Sequence, residues 1–282
     1  MRFRFAPSPS GPLHLGHGFS ALTTWDMACA CGGEFLLRIE DIDHTRCRWE
    51  FETRQMDDLR WLGLHWPNPV MRQSERQSQY NDALKILIKN DLIYPCGCTR
   101  KDIKQALSAP QEGTGAARDV YPGTCRTRSM HSRTENDSLR LDMAKAIAFL
   151  GGEKTVAKLF FTELANDTEF NHFLSKSNML RKIGDVILAR RDIGTSYHLA
   201  VVVDDAAQKI THVTRGKDIF EATFIHRLLQ ALLDLPTPFY HHHRLIRDTA
   251  GIRLAKRTDA KALAVYRGNG TTPQQIRGKV GL

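Results

Sequence analysis

No stretch of this 282-residue chain approaches the roughly twenty consecutive apolar residues that cross a bilayer. Residues 228–235 are among the longest candidates and are far too short. A secretory leader is also missing from the pattern, because Arg2 and Arg4 interrupt the first residues and no apolar core follows. Cysteine is sparse, with six residues at positions 29, 31, 47, 96, 98 and 125. Together these features exclude a membrane-spanning protein and argue against a disulfide scaffold, and they point to the cytoplasm. Thiols there serve as core residues, metal ligands or catalytic groups. Internal repeats and low-complexity segments are missing too, which excludes a solenoid or a largely disordered chain.

What is present is ordinary globular composition, 41% hydrophobic and 25% charged. At about 150 residues per domain, the length predicts two domains or one with a large insert. Acids are fewer than bases, 31 against 40, for a formal net charge of +9. The excess gathers in residues 253–282, where seven Lys and Arg face one acid, Asp259. A basic surface suits an anionic partner such as nucleic acid, although a solubilising tail carries the same charge.

Along the chain, residues 2–5 alternate like a strand until Pro7 and Pro9 stop it. Residues 15–30 have helical spacing, closed by Gly32 and Gly33, and residues 35–39 form a second strand candidate. Strand, helix and strand within forty residues predict a βαβ unit and a parallel sheet with nucleotide-binding potential. Residues 50–62 and 77–90 read as helices, and 139–180 contain helical-looking pieces without a motif. Residues 210–214 alternate as a strand, and 219–233 form an amphipathic helix. His241, His242 and His243 are adjacent, so in a strand they point alternately and do not form one metal site.

The segment 4–17, RFAPSPSGPLHLGH, carries the most chemistry. A strand ends, the chain turns, and a helix begins near two histidines. Unpaired N–H groups and the dipole at a helix start attract phosphate. His14 and His17, three residues apart, can turn their rings to one side, and Gly16 permits close approach of a nucleotide. A lone His-x-x-His is usually a pair of ordinary helix histidines; the preceding string changes that weighing. Cys96, Cys98 and Cys125 offer three thiolates for a tetrahedral metal, with Tyr121 or His131 as the fourth ligand.

These residues resemble the class I aminoacyl-tRNA synthetases. His14-Leu15-Gly16-His17 is similar to their HIGH motif, and residues 4–9 are similar to the glutamyl synthetases in particular. Residues 38–43 (RIEDID), 197–205 (YHLAVVVDD) and 214–218 (TRGKD) match further segments in order, and RLAKR at 253–257 stands where the KMSKS loop belongs. Only Thr258 to Leu282 follow, too little for a helical anticodon-binding region, and the Cys-x-Cys…Tyr-x-x-x-Cys element resembles the glutamyl-queuosine tRNA(Asp) synthetase family.

The resemblance implies an α/β fold: a class I synthetase Rossmann-type parallel sheet with an inserted zinc-containing subdomain and a short C-terminal extension. The expected parts are residues 1–95 and 181–260 as halves of the catalytic domain, 96–180 as an inserted zinc-containing and helical region, and 261–282 as a basic tail. It implies activation of L-glutamate by ATP with Mg²⁺, then esterification of the queuosine base of tRNA(Asp). His14, His17 and Lys256 are the expected catalytic groups, and His14, Gly16, His17 and Lys256 the ATP contacts. Arg4, Phe5, Ala6, Pro7, Ser8, Glu40, Tyr197 and Arg215 are the expected substrate contacts: arginines for carboxylates, Glu40 for the ammonium. Ala255 and Arg257 depart from the motif, so only Lys256 carries over from that loop. The match at residues 121–125 selects Tyr121 over His131, giving one structural Zn²⁺ on Cys96, Cys98, Tyr121 and Cys125. The alternatives are a discrete glutamyl-tRNA synthetase acting at the tRNA 3′ end and a non-catalytic RNA-binding paralogue.

Overall fold

The computed structural model describes residues 1–108, 120–165, 168–247 and 261–282. The first half runs β1 (Arg2–Phe5), α1 (Leu15–Ala30), β2 (Glu34–Ile39), α2 (Trp49–Trp61), β3 (Met71–Arg72), α3 (Gln77–Lys89), β4 (Ile93–Cys96) and α4 (Arg100–Ser108). Next come β5 (Ser138–Leu141), α5 (Met143–Phe149), α6 (Glu153–Val156), β6 (Phe160–Ala165), β7 (Thr168–Phe173) and α7 (Lys176–Asn178). The remainder is β8 (Ile187–Ala189), α8 (Tyr197–Ala207), β9 (His212–Gly216), α9 (Ala222–Leu232), β10 (Phe239–His243), α10 (Leu263–Gly268) and α11 (Pro273–Val280).

A seven-stranded sheet has the order β3-β2-β1-β9-β10-β6-β7, and all its pairings are parallel except β6 with β7. A second, antiparallel sheet joins β4, β5 and β8. The expected βαβ unit is present: β1 and β2 run parallel with α1 between them in the chain. Phe3, Phe5, Leu22, Leu37 and Leu59 form the core on that side. Tyr80, Phe161, Leu199, Val213 and Leu228 belong to the larger core on the other.

Two stretches differ from their sequence reading. Residues 160–173, within the expected inserted helical region, form a hairpin that extends the large sheet through β10. Their alternation is short, and the partner that pairs with them, Tyr240 with Glu163, lies 77 residues away in sequence, beyond any local pattern. Residues 261–282, expected as a tail, fold as α10 and α11. The Thr272–Gln275 capping box and Pro273 start α11, and Ile276 and Val280 are buried. Arg277 pairs with Asp26 of α1 at 2.8 Å.

Candidate active site

The sheet changes its winding direction between β1 and β9, and open α/β sheets bind ligands beyond the strand ends at such a point. A cleft of about 830 Å³ opens there. Phe5, Ala6, Pro7 and Ser8 line it as the chain leaves β1; His17, Glu40, Tyr197 and Arg215 join them. The opposite wall includes Ile103, Tyr121, Arg140 and Ile187. Arg4 reaches a smaller recess of about 350 Å³ beside Glu40, Tyr197 and Arg215. The expected substrate residues therefore converge. Lys256 lies outside the described residues; the chain returns at Lys261, and Leu263 N–H donates to Leu13 at 2.8 Å.

His14 caps α1. Its Nδ1 accepts from Gly16 N–H at 3.1 Å, and His17 Nδ1 accepts from His14 N–H at 3.2 Å. Both rings therefore carry their proton on Nε2, where it is a donor. The rings lie 3.8 Å apart. Gly16 has a local reason: a Cβ there would stand 3.0 Å from the His14 ring.

The two arginines expected to bind substrate have different surroundings. Arg4 forks onto Asp205 through Nε and Nη2, and Arg38 donates to the same carboxylate at 2.7 Å and to Glu40 at 3.1 Å. Burial alone would raise the Asp205 carboxyl, but Arg4 and Arg38 outweigh it and hold Asp205 below its ordinary value. Burial pushes Glu40 upward, against the pull of Arg38 and Arg4. Arg215 meets neutral groups instead: Tyr197 Oη, His226 Nδ1, His242 Nε2 and Thr223 Oγ1. Burial, reinforced by Arg215, lowers His198 to about 4 and holds His226 well below the ordinary range, so both rings are neutral.

The Cys96, Cys98 and Cys125 sulfurs all lie within 4.8 Å of one another. Tyr121 Oη is 3.3 Å from Cys96 Sγ and 3.5 Å from Cys98 Sγ. Ligands about 2.3 Å from a tetrahedral ion stand roughly 3.7 Å apart, so these four donors fit Zn²⁺. Arg140 donates to Cys96 Sγ at 3.3 Å and covers the Tyr121 ring at 3.8 Å, which favours anionic ligands. Burial opposes ionisation of Cys125, but hydrogen bonds with Tyr121 and Cys98 outweigh it and bring the thiol to about 7. His131 is exposed on a separate turn, and Cys29, Cys31 and Cys47 form no disulfide and lie outside the cluster.

Sequence reasoning missed several residues that shape this site. Arg38 and Asp205 lie inside the matched segments without an assigned role, and Thr223, His226, His242 and Glu163 carry no motif. The one available signal was the alternation of the three histidines, which turns His242 toward Arg215.

The whole chain, residues 1–282, matches the family of tRNA synthetases class I (E and Q), catalytic domain. It is 53% identical to the glutamyl-Q tRNA(Asp) synthetase of Rhodobacter capsulatus, covering 99% of each chain. Identity to the glutamyl-Q tRNA(Asp) synthetase of Nocardia farcinica is 42%, over 97% of this chain and 81% of that one. A glutamate tRNA ligase from Elizabethkingia meningosepticum, solved with its amino acid, superposes with a TM-score of 0.69 at 29% identity. That match covers 91% of this chain, which spans about half (52%) of the solved protein. The family match over residues 1–282 and 53% identity over nearly the whole chain lead to one conclusion: the chain belongs to the class I glutamyl and glutaminyl tRNA synthetase family, on its glutamyl-Q tRNA(Asp) synthetase branch.

Proposed function

We propose that this protein activates L-glutamate with ATP and transfers it to the queuosine base in the anticodon of tRNA(Asp), in the cytoplasm. The observation that carries the reading is the meeting of Glu40, Tyr197 and Arg215 beside the β1 exit in one cleft. The name shared by the relatives supports the acceptor.

In the first step a glutamate carboxylate oxygen attacks the α-phosphorus of ATP, which travels with Mg²⁺, and the bond to pyrophosphate breaks. The nucleophile is already anionic, so alignment and charge stabilisation are what the site must supply. His14 and His17 offer Nε2–H donors beside the α1 amides, and Lys256 supplies a mobile cation. Arg215 attracts one substrate carboxylate through its charge and its remaining Nη2 N–H, Glu40 receives the ammonium, and the Ser8 and Tyr197 hydroxyls add hydrogen bonds. Two Arg4 nitrogens are engaged with Asp205, so Arg4 acts through its remaining Nη1 edge and its charge. A hydroxyl of the queuosine cyclopentene diol then attacks the activated carbonyl, AMP leaves, and an ester forms. This diol resembles the ribose diol that ordinary synthetases esterify, so the same chemistry serves both. Cys96, Cys98, Tyr121 and Cys125 would hold one structural Zn²⁺ that fixes the wall containing Tyr121.

The test is incubation with ATP, labelled glutamate and tRNA(Asp), with or without queuosine, followed by nuclease mapping. Label is expected on the anticodon of the modified tRNA, unaffected by oxidation of the 3′ diol alone. Transfer that requires the 3′ diol would restore a conventional glutamyl-tRNA synthetase, and absence of glutamate-dependent pyrophosphate exchange would leave an RNA-binding paralogue.

A further inference from the structure

The edge hairpin reaches the active site through one side chain. Glu163, in β6, is buried, and its Oε1 accepts from the backbone N–H of His242 at 2.7 Å. Its Oε2 stands 2.6 Å from His242 Nδ1. On the other side of that ring, Nε2 stands 3.1 Å from Nε of Arg215. A guanidinium has no acceptor, so His242 Nε2 must accept and the ring proton must lie on Nδ1, directed at Glu163. This fixes a chain of carboxylate, neutral imidazole and guanidinium.

The remaining Arg215 donors also meet neutral acceptors, and none of its ion pairs with a carboxylate falls within 4 Å among the described residues. A buried cation without compensation is costly. A direct salt bridge would offset that cost, as Asp205 does for Arg4, but would neutralise the charge that attracts a substrate carboxylate. Placing the carboxylate one imidazole away tempers the cost while leaving the positive charge unneutralised and one Nη2 N–H not engaged by these four acceptors.

We propose that Glu163 and His242 are positioning residues: they orient Arg215 without pairing its charge directly to a carboxylate, and thereby set the affinity for the glutamate carboxylate. The proposal rests on the glutamate-activating reading. It also gives the hairpin β6–β7 a purpose beyond extending the sheet, because register pairs Glu163 with Tyr240, two residues before His242.

The experiment measures glutamate-dependent ATP–pyrophosphate exchange for wild type, Glu163→Gln, Glu163→Asp and His242→Gln, with melting temperature recorded for each. In Glu163→Gln the KM for glutamate should rise about tenfold, the scale of one charge-assisted hydrogen bond, while kcat and the KM for ATP change less than twofold. Glu163→Asp, which keeps the charge, should recover part of the affinity, and His242→Gln should resemble Glu163→Gln. Should Glu163→Gln fail to fold, the His242→Gln and Glu163→Asp constants decide by the same criteria. An unchanged glutamate KM in the folded variants would overturn the relay. So would equal losses in glutamate KM, ATP KM and kcat, which mark a general structural defect. Failure of exchange in the wild type would instead refute glutamate activation itself, and so separates the two claims.

Discussion

Arg4 grips Asp205 with two nitrogens, at 3.1 and 3.3 Å, inside the sheet that carries the active site. The same carboxylate receives Arg38, whose side chain is fully buried. Asp205 on α8 thus pairs with two cations from adjacent parallel strands, with Glu40 sharing Arg38, and ties β1, β2 and α8 together beneath the cleft.

Replacing Asp205 with Asn removes that anion while leaving two buried guanidinium groups. Breaking a buried pair in this way costs about 3–5 kcal/mol. Urea unfolding should show a loss of that order in Asp205→Asn, and a stability equal to wild type would contradict the assigned balance.

Gly16→Ala tests the turn at the start of α1. The new Cβ would meet the His14 ring at 3.0 Å, so the ring must shift by a few tenths of an ångström and its capping hydrogen bond is strained. Loss of a cap costs about 1 kcal/mol, whereas displacement of the donor proposed to face ATP should cost on the order of 10²-fold in kcat for exchange. A variant with wild-type kcat would remove His14 from the activation step.

Metal analysis addresses the sulfur cluster. Purified protein should carry about one zinc per chain, and Cys98→Ser should lose both metal and melting temperature, because metal binding and local folding are coupled. Full zinc occupancy in Cys98→Ser would move the metal to other ligands.

Acid sensitivity should follow the buried histidines. Burial and Arg215 depress His198 to about 4, so between the ordinary value near 6.5 and that value the unfolded chain binds the proton and the folded one does not. The stabilising contribution is therefore present above about pH 6.5 and is lost progressively as pH falls toward 4. His198→Gln should flatten the melting temperature across that range, and an equally steep fall would assign the sensitivity to other groups.

The sequence made the N-terminal half of the site legible because its signals are local. Strand alternation, prolines and a capped helix lie within forty residues, and Arg4, Ser8, His17 and Glu40 fall at their junctions. Tyr197 and Arg215 were readable only through resemblance, since nothing nearby states that β9 lies against β1. Glu163 was illegible for a related reason: its meaning depends on β6 pairing with a strand whose contacting histidine is 79 residues away. The terminal helices were hidden by charge. Seven basic residues suggested a solvated tail, while the Thr272–Gln275 box and the buried Ile276 and Val280 mark a folded segment.

The pairing of residues 261–282 with the first turn has a consequence for biogenesis. Ala262 bridges to His14, and Arg277 pairs with Asp26 across 251 positions. A ribosome releases the β1–α1 unit early, yet that unit lacks its outer cover until α11 emerges. Contacts of such high sequence separation form slowly. The outer surface of α1 therefore stays open until α11 has been synthesised, and the turn at His14 completes these contacts only then.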